Sequence, residues 1–313
     1  CEVTLLTTAI TMGGNLTITA GELDTGSNVA LTVTGEVTGA GTLTGNASAI
    51  SMGYFGMTGT YNATSGTTTI NSRNGSGYRM SCGVGDIVHN NGTFKFDTTG
   101  GGNSNFILTG TSDGTNGIYD LEIDTGNTVT IENNALSIHR NLTITSGTLN
   151  TNGSSNYGLT VGGDVSVTGT LTCNASAISM GSLTIEDTGT VNATSGTTTI
   201  TGVSNGAGYC FQNKETDATG FIHNSGLVHF NPTASDATYV NQGGSSFYDV
   251  KVDGNSTGQI FYFLGAGGSM VIDGDLDVIQ GFYQQYTVTN TLTVHGLTFV
   301  RANAEWNDAS ATG

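Results

Sequence analysis

Asn46-Ala47-Ser48-Ala49-Ile50-Ser51-Met52-Gly53 recurs letter for letter as Asn174 to Gly181, and Asn62-Ala63-Thr64-Ser65-Gly66-Thr67-Thr68-Thr69-Ile70 recurs as Asn192 to Ile200. The match extends outward from these stretches. Asn15-Leu16-Thr17-Ile18-Thr19 matches Asn141 to Thr145, His89-Asn90-Asn91-Gly92 matches His223-Asn224-Ser225-Gly226, and Tyr119-Asp120 matches Tyr248-Asp249. Equivalent positions lie about 126 to 134 residues apart, the intervals from Asn15 to Asn141 and from His89 to His223. A third copy begins near Gly274-Asp275-Leu276 and continues through Thr291-Leu292-Thr293-Val294. The 313 residues thus hold two full repeats and a partial third. Self-similarity of this kind marks stacked modules rather than unrelated tandem domains.

Inside each repeat the pattern has period two. Leu31-Thr32-Val33-Thr34, Leu142-Thr143-Ile144-Thr145 and Asp164-Val165-Ser166-Val167-Thr168 alternate apolar and hydroxyl side chains, which sends one set to each face of a strand. Gly, Asn and Ser-Gly steps such as Ser65-Gly66 and Thr125-Gly126-Asn127 separate these runs and tolerate the positive φ of tight turns. The β-branched and aromatic residues argue against disorder despite 49 glycines, and the single proline, Pro232, suits a chain whose backbone donors are used in ladders. The predicted fold class is all-β, a parallel β-helix or β-solenoid with internal repeats of about 130 residues. At roughly 20 to 25 residues per coil it holds about 13 to 15 coils. Residues 1–300 are expected to form one continuous solenoid, with repeats at about 14–139 and 140–273, a partial repeat at 274–300, and a polar tail at 301–313. Between the repeats Phe55, Met57 and Tyr61 align with Leu183, Ile185 and Val191, so these point into the core, whereas Tyr54 aligns with Ser182 and points out.

Composition excludes several functions. Charged residues make up only 10% of the chain against roughly 25% in an average soluble domain. Seven Lys plus Arg against 24 Asp plus Glu give a net charge of -17, which repels phosphate backbones, so nucleic acid is not expected as a partner. No apolar run approaches the roughly 20 residues of a membrane span, and no signal-peptide order is visible.

The stretches Gly-Asn-Leu-Thr-Ile-Thr, Asn-Ala-Ser-Ala-Ile-Ser-Met-Gly and Asn-Ala-Thr-Ser-Gly-Thr-Thr-Thr-Ile resemble the repetitive β-helical structural and fibre-like proteins of marine tailed bacteriophages. The resemblance covers the chain through about Val300, is one of repeat style, and shades into bacterial adhesins and autotransporter passengers. It implies an extracellular, virion-surface location and a non-enzymatic structural or host-contact appendage. The alternatives are a bacterial or archaeal cell-surface adhesin or filament subunit and, behind these, a glycan-cleaving tailspike. Implied partners are other virion or surface-assembly subunits in a homo-oligomer, with a host surface glycan as a further one.

Candidate chemistry reads mainly as structure. Gly202-Val203-Ser204-Asn205-Gly206 fits a nucleophile-elbow pattern but follows a β repeat rather than entering a helix. His89 and His223 occupy equivalent places and lack metal-ligand spacing. Glu186 and Asp187 have no close counterpart in the first repeat and read as an exposed turn, although acidic pairs serve glycan cleavage. Asp273, Asp275 and Asp277 alternate along one face without a calcium-loop pattern and read as solvated. Ten Asn-x-Ser/Thr sequons, from Asn15 to Asn255, follow from composition and are read as unmodified. Threonine pairs such as Thr17 and Thr19 read as ordinary outward threonines. Cys82, Cys173 and Cys210 are expected as buried free thiols, and Cys1 as a boundary or a lipidated N-terminus. No catalytic residue, metal or cofactor is expected. Tyr54, as an outward aromatic, and Trp306, the only tryptophan, are the contact candidates. The chain ends are expected to meet other subunits, because neither reads as a polar cap over an open strand edge.

Overall fold

The computed structural model describes the chain except for residues 27, 98–101, 205–207, 234–237, 255–259, 265–268, 286–290 and 308–313, and the side chains of 260, 264, 281–285 and 305–307. It is an all-β, parallel β-solenoid of stacked coils. The helical content among the described residues is one 3-10 turn, Val84–Asp86. The chain divides into two compact units, Cys1–Thr160 and Val161–Gly313, and each is built by stacking.

In the first unit, Leu31, Ile50, Thr68, Phe94, Leu121 and Leu142 follow one another in parallel register, one per coil. All six are buried. Their neighbours Thr32, Ser51, Thr69, Lys95, Glu122 and Thr143 form the parallel outward column, so period-two alternation becomes one dry face and one wet face. A second wall, Val3, Leu23, Leu43, Tyr61 and Ile87, belongs to a separate five-stranded sheet, whose last four members are buried. Tyr61 is fully buried, and its hydroxyl is paired with Thr68 Oγ1 at 2.6 Å, which satisfies two polar groups inside the core. In the second unit the corresponding column is Ile178, Thr198, Val228, Val250, Leu276 and Thr298. Phe55, Met57, Tyr61, Leu183, Ile185 and Val191 are buried as expected.

Coils vary more than a uniform repeat implies. Paired residues are 18 apart from Ile50 to Thr68 but 30 apart from Thr198 to Val228. The longer coils reduce the number of turns to about twelve in all, fewer than the 13 to 15 expected. The final strand, Thr298–Asn307, continues past Val300, so Arg301 to Asn307 is strand rather than tail.

The turns explain why identical segments persist. Asn46 and Asn174 adopt φ of 49° and 52°, and Asn90 and Asn224 adopt 47° and 50°, the left-handed conformation that asparagine tolerates best after glycine. After the latter pair, Gly92 and Gly226 donate their N–H groups to His89 O and His223 O, each at 2.9 Å. A Cβ on Gly92 would sit 2.0 Å from Thr64 O, and one on Gly226 2.0 Å from Thr194 O. Only glycine lets the backbone approach the previous coil so closely.

Arg79 breaks the apolar rule. It is 1% exposed, donates from Nε to Ser104 Oγ at 2.7 Å and from Nη1 to Ile70 O at 3.4 Å, and burial lowers its pKa to about 10. By ladder register the second repeat has Cys210 at this place, also fully buried. All four cysteines are free, and Cys82, Cys173 and Cys210 are buried as expected; burial pushes each thiol upward, Cys173 to about 12.

Candidate functional site

The two histidines at equivalent sequence positions hold equivalent turns. His89 Nδ1 accepts the Asn91 N–H at 3.0 Å, and His223 Nδ1 accepts the Ser225 N–H at 2.9 Å. With Nδ1 an acceptor, the His89 proton lies on Nε2, which donates to Asp113 O at 3.2 Å. Burial lowers the His89 pKa, which keeps the ring neutral and suited to this role.

Each histidine also starts an aromatic column up the side of its unit. His89 packs on Tyr119 at 4.9 Å and His139 at 5.6 Å, and Arg140 lies 4.9 Å over the Tyr119 ring. Arg140 simultaneously forms a two-point ion pair with Asp120, at 2.9 and 2.7 Å. In the second unit His223 stacks on Tyr248 at 5.5 Å and faces Asp273 Oδ2 at 3.5 Å. Asp273 further accepts from Ser246 Oγ at 2.6 Å and contacts His295 Nδ1 at 3.1 Å.

The carboxylates that alternate in sequence lie on a solvated face, as expected, and act there as a comb between coils. Asp273 reaches His295, Asp275 Oδ1 accepts the Leu297 N–H at 2.7 Å, and Asp277 holds Arg301 at 2.8 and 2.9 Å. The same device recurs at other coils. Asn15 accepts the Glu36 N–H, Asp120 the Asn141 N–H and Asp249 the Asp275 N–H, at 2.9, 3.0 and 2.8 Å. Each side-chain oxygen satisfies a backbone donor one coil further on. An Asp or Asn directly before Leu or Val was the sequence signal for this, but the partner lies more than twenty residues away.

Lys95 bridges Glu122 at 3.0 Å and Asp124 at 2.7 Å on the outer face of adjacent coils. Glu186, a candidate acid by sequence, pairs with Lys214 at 2.7 Å in an exposed turn. Gly202 and Ser204 lie in the loop after the strand Thr197–Ile200, where the Ser204 N–H donates to Tyr209 O at 2.7 Å; Asn205 and Gly206 lie outside the described residues. Among the described residues no group of three His, Cys, Asp or Glu side chains is arranged to hold a metal, and no helix is long and apolar enough to cross a membrane.

Of the two contact candidates, Tyr54 departs from expectation. It is 8% exposed, because its ring lies over Gly56, where a Cβ would meet the Tyr54 hydroxyl at 2.5 Å. Burial raises its pKa, opposed by hydrogen bonds with Ser81 and Asn74. Tyr54 therefore covers the strand face instead of projecting from it. Ser182, its counterpart, is also buried and donates to Asp164 Oδ1 at 2.7 Å. Trp306 pairs through its backbone with Tyr283 in the final strand; its side chain lies outside the described residues.

The depressed pKa values of the comb carry a pH dependence. Asp273 is lowered first by the Ser246 hydroxyl and then by His295, and Asp277 is lowered first by its hydrogen bonds to Arg301. A carboxylate lowered on folding stabilises above its unfolded pKa, and that contribution is lost as pH falls through the folded value. Thermal melts are expected to shift downward as pH falls below about 4, and Asp277→Asn is expected to reduce the size of that shift. An unchanged shift in the variant would remove Asp277 from this role.

Comparison with protein-family models, with curated proteins and with solved structures finds no match. The class defined by the fold is a repeat-built parallel β-solenoid.

Proposed function

We propose that the chain is a non-enzymatic structural protein of an extracellular appendage, a fibre-like or host-contact part of a tailed-phage virion, working alongside other subunits of the same assembly. The observation that carries this reading is how the charged groups are used. Lys95, Arg140, Lys214 and Arg301 each pair with a carboxylate on a neighbouring coil, and Asp120, Asp249, Asp273, Asp275 and Asp277 tie successive coils together. Chemistry spent on holding coils in register suits a scaffold. Other outer positions, such as Thr32, Ser51 and Thr69, are small and neutral, which together with the net negative charge makes a surface that stays hydrated without attracting nucleic acid. The repeat style of the sequence supports the virion setting.

Gold-labelled antibody against the folded chain is the test, applied to the particles and to the cells of the source culture. Label on the particle exterior is expected. Label confined to cell envelopes would overturn the virion reading and favour a surface adhesin or filament. Incubation with the host's surface polysaccharide is expected to release no oligosaccharide; release abolished by substituting particular carboxylates would make the chain an enzyme.

A further inference from the structure

On the outer face of the first unit, Tyr78, Glu132, Asn133, Asn152, Ser155 and Tyr157 line a groove of about 460 Å³, within the size range of small-ligand sites. The two units differ along the register that starts beside it. In the second unit Tyr209, Tyr239 and Tyr262 follow one another in register and pack ring on ring, with centroids 5.4 and 5.2 Å apart. The same register in the first unit runs Tyr78, Asn105, Thr130. At the two positions that follow Tyr78 in register, an amide and a hydroxyl stand in place of two tyrosine rings. The turn after the strand Leu142–Asn150 supplies the other wall through Asn152, Ser155 and Tyr157.

The walls are fixed before any ligand arrives. Asn152 Oδ1 accepts the N–H groups of Ser154 and Ser155 at 3.1 and 3.3 Å, and the Tyr157 N–H donates to Thr151 O at 3.0 Å. The Tyr78 hydroxyl donates to Glu132 Oε2 at 3.2 Å, which orients both side chains. Asn133 and Asn152 hold left-handed φ of 66° and 68°. By contrast, the Tyr157 and Ser155 hydroxyls and the Asn133 amide make no hydrogen bond to described protein groups. A rigid groove with unspent donors and acceptors loses little entropy on binding.

The lining selects the ligand class. It holds no Lys, Arg or His and one carboxylate, so phosphate, sulfate and acidic sugars are repelled. Ile107 is the one aliphatic side chain in the lining; amides, hydroxyls and a carboxylate dominate it, which disfavours an apolar ligand, while the two phenols combine an apolar body with a polar tip. We propose that this groove binds a neutral hexopyranose unit of a glycan, with Tyr78 and Tyr157 against the ring and Glu132 and Asn133 on its hydroxyls. The proposal deepens the host-contact reading, and rests on it only for where the glycan comes from.

Saturation-transfer NMR and titration on the full folded chain test it, with methyl α-mannopyranoside, methyl β-galactopyranoside, N-acetylglucosamine, galacturonic acid and choline as probes. Binding of at least one neutral sugar is expected, with Tyr157→Ala weakening it about tenfold or more and Tyr239→Ala leaving it unchanged. Glu132→Gln, which keeps the shape of the side chain, is expected to weaken the same sugar and serves if Tyr157→Ala fails to fold by circular dichroism. No neutral sugar bound, binding of galacturonate or choline alone, or binding retained in both groove variants would overturn the proposal. Because sugar binding is read on the isolated chain and gold labelling on particles, either result can fail without the other.

Discussion

Phe211→Ala is expected to lower the unfolding free energy by about 3–5 kcal/mol, the usual range for removing a buried phenyl ring. Phe211 is fully buried and sits in the ladder between Leu183 and Val240. Its ring meets Phe221 at 5.2 Å, Phe247 at 5.0 Å and Phe230 at 6.4 Å, all edge-on. Those rings come from three further segments of the second unit, so one deletion loosens several walls of the core there. Collapse into the space is restricted, because the neighbouring strands are held in parallel ladders one strand spacing apart. Chemical denaturation with an unchanged m-value measures the loss. A change below about 1 kcal/mol would mean that the aromatic cluster is not packed as described.

Gln242→Leu is expected to cost about 1–3 kcal/mol, because the Val271 N–H loses its acceptor while Val271 O keeps the Phe247 N–H. Gln242 is 1% exposed, donates from Nε2 to Val271 O at 2.6 Å and accepts the Val271 N–H at Oε1 at 2.8 Å. Its amide thus serves Val271 as a neighbouring strand peptide would. Asn213 extends the network by donating to Gln242 O at 3.0 Å and to Ser245 Oγ at 3.1 Å. Amide hydrogen exchange at Val271 separates this account from a general packing loss: protection at that amide should drop in the variant before protection at Val228 or Val250 does. Equal loss at all three would assign the effect to the core as a whole.

Which parts of this molecule were legible in the sequence follows from the range of the interactions involved. Leu31-Thr32-Val33 and its copies state their own inward and outward faces, since period two is a property of one strand. The inward assignment of Phe55, Met57 and Tyr61 held for the same reason. Tyr54 did not follow, because its burial depends on Gly56 two residues on and on Ser81 in another coil, and alternation is silent about a ring that folds down along the strand. The comb of Asp273, Asp275 and Asp277 was visible as a pattern but not as a function. Its partners His295, Leu297 and Arg301 become neighbours only through the length of one coil, and coil length varies from 18 to 30 residues. The groove between Tyr78 and Tyr157 was hidden for the same reason, since its walls come from different coils with different loop lengths.

Electron cryo-microscopy of the native assembly tests the central claim most directly. The account expects parallel strand rungs about 4.8 Å apart, with the two sets of His-Asn-x-Gly turns resolved as equivalent corners, in density on the outside of a particle and in contact with other subunits. Rung density inside the particle or within the cell, or copies of the chain free of any assembly, would contradict it.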